Sequence, residues 1–298
     1  MTCYTPVTLY KSRMGPDKLT GRWPVGGFKD GYIDMPVPVA CGRCLGCRLE
    51  RSRQWAIRCE HEKQMHKESA FITLTYRNED LKFNFARPTL FPEHLTNFFK
   101  RYRKKYGKLR YFACGEYGSR TNRPHYHAII FGHDFEDKKF HKFTEQGHKT
   151  YNSDSLNRLW THGDCLIGDV TFESIAYVAR YIMDKKLGET ASYYEQHAIE
   201  PEFVRMSRRP GIGSDWYDKY QGDVFPHDRM IIRGGIETNV PRYYTEKQVK
   251  LDPEKMKGIL KCRQERAKEN YKESTPKRLF VREQVKRAQI RSLQRHKI

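Results

Sequence analysis

The alternation of apolar and polar residues marks a few stretches of the chain clearly and leaves others without pattern. FITLTY (71–76) puts Phe71, Thr73 and Thr75 on one side and Ile72, Leu74 and Tyr76 on the other, which predicts a strand. LRYFACGE (109–116) and HYHAIIF (125–131) read as two further strands joined by a glycine-containing turn. From Pro92, the residues Leu95, Phe98, Phe99, Tyr102 and Tyr106 recur at helical spacing, and an aromatic stripe of that kind predicts a core-facing helix. Leu45, Leu49, Ala56 and Cys59 also recur near helical spacing, with charges between them. In FESIAYVARYIMDKK (172–186), Ile175, Val178, Ala179 and Ile182 share a face, which predicts another helix. MIIRGGIETNVPRYY (230–244) reads as a hairpin around Gly234 and Gly235. Residues 1–40 are rich in Gly and Pro and read as an irregular arm, and residues 134–165 as a polar surface insertion. These elements divide the chain into a Cys-rich arm with a basic helix (1–67), a core (68–245) and a basic tail (246–298), helical or partly disordered.

Charge narrows the range of partners. The 298 residues carry 56 Lys and Arg against 36 Asp and Glu, a net charge of +20, which fits a polyanion. Nucleic acid comes first and an anionic membrane surface a distant second. No apolar run approaches the roughly 20 residues needed to span a bilayer. The opening MTCYTPVTLYKSR lacks the basic and apolar segments of a secretory signal, so a cytosolic protein is expected. In that compartment the eight cysteines read as ligands or core residues rather than disulfides. Residues 251–298 hold 15 Lys or Arg and 6 Asp or Glu, and suit either a solvated tail or an arm that grips DNA.

His125 and His127 stand two apart and therefore share a strand face with Ile129 and Phe131. Neutral imidazoles are common metal ligands, although an H-x-H pair alone is a weak motif. Glu116 ends the preceding strand; antiparallel pairing would bring it to the two histidines as a third donor, whereas an unpaired turn would leave it solvated. Tyr177 and Tyr181 are four apart, neighbours on one helical face, with Lys185 one turn further. By spacing alone they suit packing at a helix–sheet seam. Beside a metal, a tyrosine hydroxyl can instead attack a phosphodiester.

FITLTY, GEYGSRTNRPHYHAIIFG and YVARYIMDK, in that order, resemble the three motifs of HUH rolling-circle replication initiators. CGRCLGCRLERSRQWAIRCEHE and SRRPGIG extend the resemblance to the initiators of small single-stranded DNA phages, the microviruses of the gokushovirus type. The resemblance implies an α+β chain: the HUH endonuclease fold, a central twisted antiparallel sheet with flanking helices, carrying here an N-terminal Cys-rich segment and a basic C-terminal tail. It implies that Glu116, His125 and His127 hold Mg2+ or Mn2+ and that Tyr177 and Tyr181 are nucleophiles. Lys185 aligns with a lysine of single-tyrosine relatives, a role that Arg180 or Lys186 would equally fill. The implied activity is a site-specific single-strand nick at the viral origin, forming a 5′-phosphotyrosine link. Rejoining the strand then releases circular single-stranded DNA. The implied partners are viral DNA, as single-stranded origin and double-stranded replicative form, in the cytoplasm of a bacterial host. No G-x-x-x-x-G-K-[ST] occurs, so unwinding falls to a host helicase working with a host polymerase. The alternatives are a non-catalytic DNA-binding protein with a structural metal, a hydrolase using activated water, and a relaxase or transposase of the same superfamily.

Cys41, Cys44 and Cys47 form C-x-x-C-x-x-C, a spacing that suits structural zinc. Cys59 would lie about 18 Å further along the same helix, too far to share the ion. Cys3 is therefore the preferred fourth ligand, with unmetallated core cysteines as the other reading. Arg48, Arg51, Arg53 and Arg58 lie on that helix and are candidates for phosphate contacts.

Overall fold

The computed structural model describes all residues except 1–2, 19, 85–86, 119–120, 145–146, 181–185, 187 and 294–298. The chain forms two compact units, Met1–Gln54 with Lys219–Lys297, and Trp55–Asp218.

The second unit is built on seven strands: β1 (Ser69–Thr75), β2 (Arg110–Tyr117), β3 (Pro124–Phe131), β4 (Lys139–Phe143), β5 (Lys149–Asn152), β6 (Cys165–Asp169) and β7 (Phe203–Met206). They form one sheet in the order β7-β2-β3-β1-β6-β5-β4, with every neighbouring pair antiparallel. Its helices are α1 (Leu45–Gln64), which belongs to this unit from Trp55 onward, α2 (Pro92–Tyr106), α3 (Asp154–Leu159) and α4 (Phe172–Arg180).

The strict period of two gives the sheet two differently covered faces. Ala70, Ile72, Leu74, Tyr126, Ala128 and Ile130 fill one, under the α2 stripe of Leu95, Phe98, Phe99 and Tyr102. Pro92 starts α2 at a position where its missing N–H costs nothing, and Gly107, at φ 82°, stops it. The opposite face carries Phe112, Cys114, Ile129 and Phe131, covered by Ala56 and Cys59 of α1 and by Ile175, Val178 and Ala179 of α4. The histidines of β3 belong to this second face.

A buried ion pair ties α1 to the sheet. Glu62 accepts from Arg110 Nε at 2.7 Å and from the Gly213 N–H at 2.7 Å. Arg110 also donates to the carbonyls of Pro210 and Gly211, fixing the SRRPGIG turn.

Two expectations are corrected. Residues 134–165 are not a surface insertion: they supply β4, β5 and α3, and bury Leu156, Leu159 and Trp160 in the first core. All five residues of β4 are exposed, so no apolar alternation betrays the strand. Nor is the N-terminal arm irregular. Val7–Ser12 pairs with Val25–Gly26 on one side and Gly31–Val39 on the other. Pro36 and Pro38 mask the last strand, and its place at the sheet edge tolerates their missing N–H groups.

The first unit also contains the expected hairpin, Met230–Ile232 against Ile236–Thr238, turning through Gly234 and Gly235 at positive φ. Helices Pro253–Glu269 and Pro276–Leu293 make up most of the basic tail, with Met256, Leu260 and Leu279 buried. Among the described residues no helix is long and apolar enough to cross a membrane.

Candidate metal centre and nucleophile

The β2–β3 register pairs Glu116 with His125 and Cys114 with His127. The connecting turn is closed by the Gly118 N–H on the Arg123 carbonyl at 3.0 Å, with Asn122 in the left-handed region at φ 51°. Asn tolerates that conformation better than most residues. Pairing and pleat together bring Glu116, His125 and His127 to one spot on the second face.

One carboxylate oxygen of Glu116, Oε1, lies 2.5 Å from His125 Nε2 and 3.1 Å from His127 Nε2. The far nitrogens are held from behind. His125 Nδ1 sits 3.1 Å from the Arg123 carbonyl, an acceptor only, so that nitrogen carries the proton. His127 Nδ1 lies 3.0 Å from the Thr73 hydroxyl, on the strand that pairs Thr73 with His127. Both Nε2 atoms are thereby aimed at Glu116, in the way that hydrogen bonds to the far ring nitrogen aim metal-bound histidines elsewhere. Glu116 is 3% exposed, and its Oε2 is buried without a hydrogen-bond partner among the described residues. A buried carboxylate oxygen left unsatisfied beside two converging imidazoles fits a divalent cation. The three donor atoms lie within 4.8 Å of one another.

Electrostatics follow from that crowding. Burial alone would raise the Glu116 carboxyl, but the two histidines outweigh it and hold it below the usual range. Burial lowers His127. For His125 burial acts the same way, but the Glu116 carboxylate overrides it and the imidazole is raised.

Tyr177 of α4 comes to the same place. Its ring centroid is 5.2 Å from that of His127, nearly perpendicular, and 6.5 Å from Phe71. The start of α4 is fixed by reciprocal bonds between Thr171 and Ser174, each backbone N–H donating to the other's hydroxyl. Arg180 stands with its guanidinium carbon 6.0 Å from the Tyr177 ring centroid. Tyr181 and Lys185 lie outside the described residues.

The cysteines form a second cluster, in the other unit. Cys3, Cys41, Cys44 and Cys47 place their sulfurs within 4.8 Å of one another. Cys3 and Cys44 are 3.7 Å apart and Cys41 and Cys47 are 4.0 Å apart. A zinc–sulfur bond of about 2.3 Å gives a tetrahedron with an edge of about 3.8 Å, so the four thiols suit that ion. Backbone N–H groups of Tyr4, Cys41 and Cys44 each point at a sulfur from 3.3 Å. Burial works against a Cys41 thiolate, yet hydrogen bonds from Thr5, Arg43 and Cys44 pull the thiol down to about 6. Cys59 is in the core of the other unit and takes no part.

The α1 arginines are largely engaged within the protein. Arg53 chelates Glu50 and donates to Thr238 and the Asn239 carbonyl. Arg58 donates to the Ile212 carbonyl and lies over the Trp55 ring. Arg51 reaches the Gly42 carbonyl at 3.3 Å, and Arg48 Nε is buried without a hydrogen-bond partner among the described residues.

A sequence model of a replication-associated protein family, described by its ORF2 members, matches residues 69–186. Replication-associated protein VP4 of Bdellovibrio phage phiMH2K is 36% identical over 220 residues, covering 72% of this chain and 69% of its own. Replication-associated protein ORF2 of Spiroplasma virus 4 is 34% identical over 260 residues, covering 82% and 79%. The chain belongs to this family of phage replication-associated proteins. No solved structure matches it. The interval shared with the family model runs from the first residue of β1 past the end of α4, so it contains Glu116, His125, His127, Tyr177 and Tyr181. The four clustered cysteines fall before it.

Sequence reasoning missed Thr73 and Arg123 as the groups that orient the two imidazoles. Thr73 was within reach of the pattern, since it faces the same way as Phe71 and Thr75. Arg123 acts through its backbone, which no side-chain motif reveals.

Proposed function

We propose that the protein initiates rolling-circle replication of a single-stranded DNA phage genome as an HUH endonuclease, cutting and rejoining the viral origin strand through tyrosine. The observation that carries this reading is the meeting of Glu116, His125 and His127 on one sheet face with Tyr177 of α4 beside His127. The antiparallel sheet, with the histidines on a strand near its middle and the tyrosine helix on the same face, supports the HUH fold.

Glu116 and the two Nε2 atoms would hold Mg2+ or Mn2+, which supplies charge neutralisation and orientation at the scissile phosphate. Thr73 and the Arg123 carbonyl keep the imidazoles turned toward it. The Tyr177 or Tyr181 hydroxyl attacks phosphorus; the bond to the 3′ oxygen breaks, and the DNA leaves a free 3′-hydroxyl and a 5′-phosphotyrosine. The phenolic proton passes to solvent, and Arg180 offers positive charge to the developing phenolate. Attack by a 3′-hydroxyl on the phosphotyrosine reverses the step and closes a circle. The bond energy is conserved, so no nucleotide triphosphate is consumed. Lys185 is assigned as a further cation for the phosphate. Cys3, Cys41, Cys44 and Cys47 would hold a structural Zn2+, and the basic residues, Arg48, Arg51, Arg53 and Arg58 among them, would contact DNA phosphates. Viral DNA in the cytoplasm of the bacterial host is the substrate, with host helicase and polymerase as partners.

The test is incubation with a labelled single-stranded origin library and Mg2+ or Mn2+. A covalent adduct is expected, lost when Tyr177 and Tyr181 are both changed to Phe. Binding without an adduct would make the protein a non-catalytic DNA binder, and cleavage without an adduct a hydrolase using water.

A further inference from the structure

Helix α4 has two flanks with different duties. Ile175, Val178 and Ala179 pack onto β2 and β3, whereas Ser174 and Tyr177 overhang the half of the same face formed by β1, β6 and β5. Side chains on that half are too small to fill the space. The result is a cavity of about 270 Å³ with His127 and Tyr177 in its wall.

Gly168 lies at its floor, opposite Phe71 on β1 and Thr150 on β5. An added Cβ there would meet nothing closer than Phe71 Cδ1, at 3.4 Å, an ordinary contact. The fold therefore does not demand glycine at this point of a central strand. Glycine in a strand interior marks a close approach by something else, and here it keeps the cavity open.

The lining chooses the occupant. Phe71 and Leu166 offer apolar walls, while Asp169 and Glu173, both exposed at the rim, repel a phosphate. His148, also at the rim, offers a ring nitrogen for an edge. The volume is near the lower end of ligand pockets, about 300–1,000 Å³, which suits one planar ring system. We infer that this cavity seats a single unstacked nucleobase adjacent to the scissile phosphate, and that Gly168 sets origin selectivity at that position. The inference rests on Tyr177 being a nucleophile, because His127 and Tyr177 belong to both sites.

An abasic scan of the origin strand, read on the full chain with Mn2+, tests it. For the wild type, removing one base next to the cut should slow adduct formation on the order of ten- to a hundredfold, the range of a lost base–aromatic contact. Gly168→Val should slow the intact substrate comparably and lose nothing further at that abasic position, while abasic sites elsewhere cost both proteins equally. Gly168→Ala, whose methyl fits at ordinary contact, should show the same coupling in weaker form and serves if the valine variant unfolds. Independent, additive losses, or none, would overturn the pocket. Dissociation constants are read in the same cycle. An absent adduct with the coupling intact would then refute the nucleophile and keep the pocket.

Discussion

Glu116 and His125 are direct partners across the β2–β3 ladder, and the ladder brings Oε1 to 2.5 Å from Nε2. Because side chains alternate, His127 arrives at the same carboxylate from two residues further on, at 3.1 Å. Two rigid strands, rather than loops, thus fix all three donors. A one-residue slip of register would send Glu116 to the opposite face.

Ala at His125 or His127 should abolish nicking while leaving DNA affinity within a few-fold, since phosphate contacts elsewhere dominate binding. Thr73→Val, which removes the partner of His127 Nδ1, should weaken Mn2+ binding on the order of 10- to 100-fold. Titration of cleavage against Mn2+ checks both. Full activity of either alanine variant, or of the wild type in EDTA, would remove the metal assignment.

Purified protein should carry about one zinc ion, and Cys44→Ser or Cys3→Ser should release it and lower the folded yield, because binding energy at a structural site is folding energy. Metal analysis with thermal melts decides. A zinc-free, soluble and active preparation would make the cluster ordinary core.

His61 is 4% exposed and stacks on Trp216 at 3.5 Å between centroids. Burial holds the imidazole down to about 3. The unfolded chain takes up that proton near pH 6.5. Its contribution is thus complete above about pH 6.5 and is lost as pH falls toward 3. Between pH 7 and 5 the loss should be about 1–2 kcal/mol, and His61→Phe should remove that part of the slope in urea titrations. An unchanged slope would show that His61 does not set acid stability.

Glu62→Ala should destabilise the Trp55–Asp218 unit by about 3–5 kcal/mol, since it strands Arg110 as a buried, unpaired charge. Burial would raise the Glu62 carboxyl, but His66, Arg110 and the Gly213 N–H hold it down to about 2. Its stabilisation is therefore present above about pH 4.3 and disappears between there and pH 2. Denaturant unfolding of the two proteins at pH 7 and pH 3 separates this window from that of His61: the gap should narrow at pH 3.

Much of the fold is legible because burial imposes a period. FITLTY and the aromatic stripe of α2 each cover one face of a core, so apolar residues recur every second or every third to fourth position. β4 has no such face, and no pattern announces it. The site is legible only in part. The histidine pair is local, but Glu116 joins it through pairing register, and Cys3 joins Cys41 across 38 positions of sequence. Such contacts depend on how strands and turns close, and they leave no periodic trace.

Two tyrosines four positions apart would give one centre two nucleophiles. Rolling-circle replication must cut once to start and again, after each round, to release a unit circle. If the first 5′ phosphate is held on one tyrosine, the second cut needs a free hydroxyl within reach of the same donors. Tyr177 already stands beside His127. Tyr181 would take the alternate turn, each tyrosine releasing the strand that the other captures. Each single Phe variant should then still nick and form an adduct on an oligonucleotide, yet fail at repeated rounds on a circular template. The double variant should form no adduct. If Tyr177→Phe abolished every adduct while Tyr181→Phe supported many rounds at the wild-type rate, alternation would be wrong and Tyr177 would be the sole nucleophile.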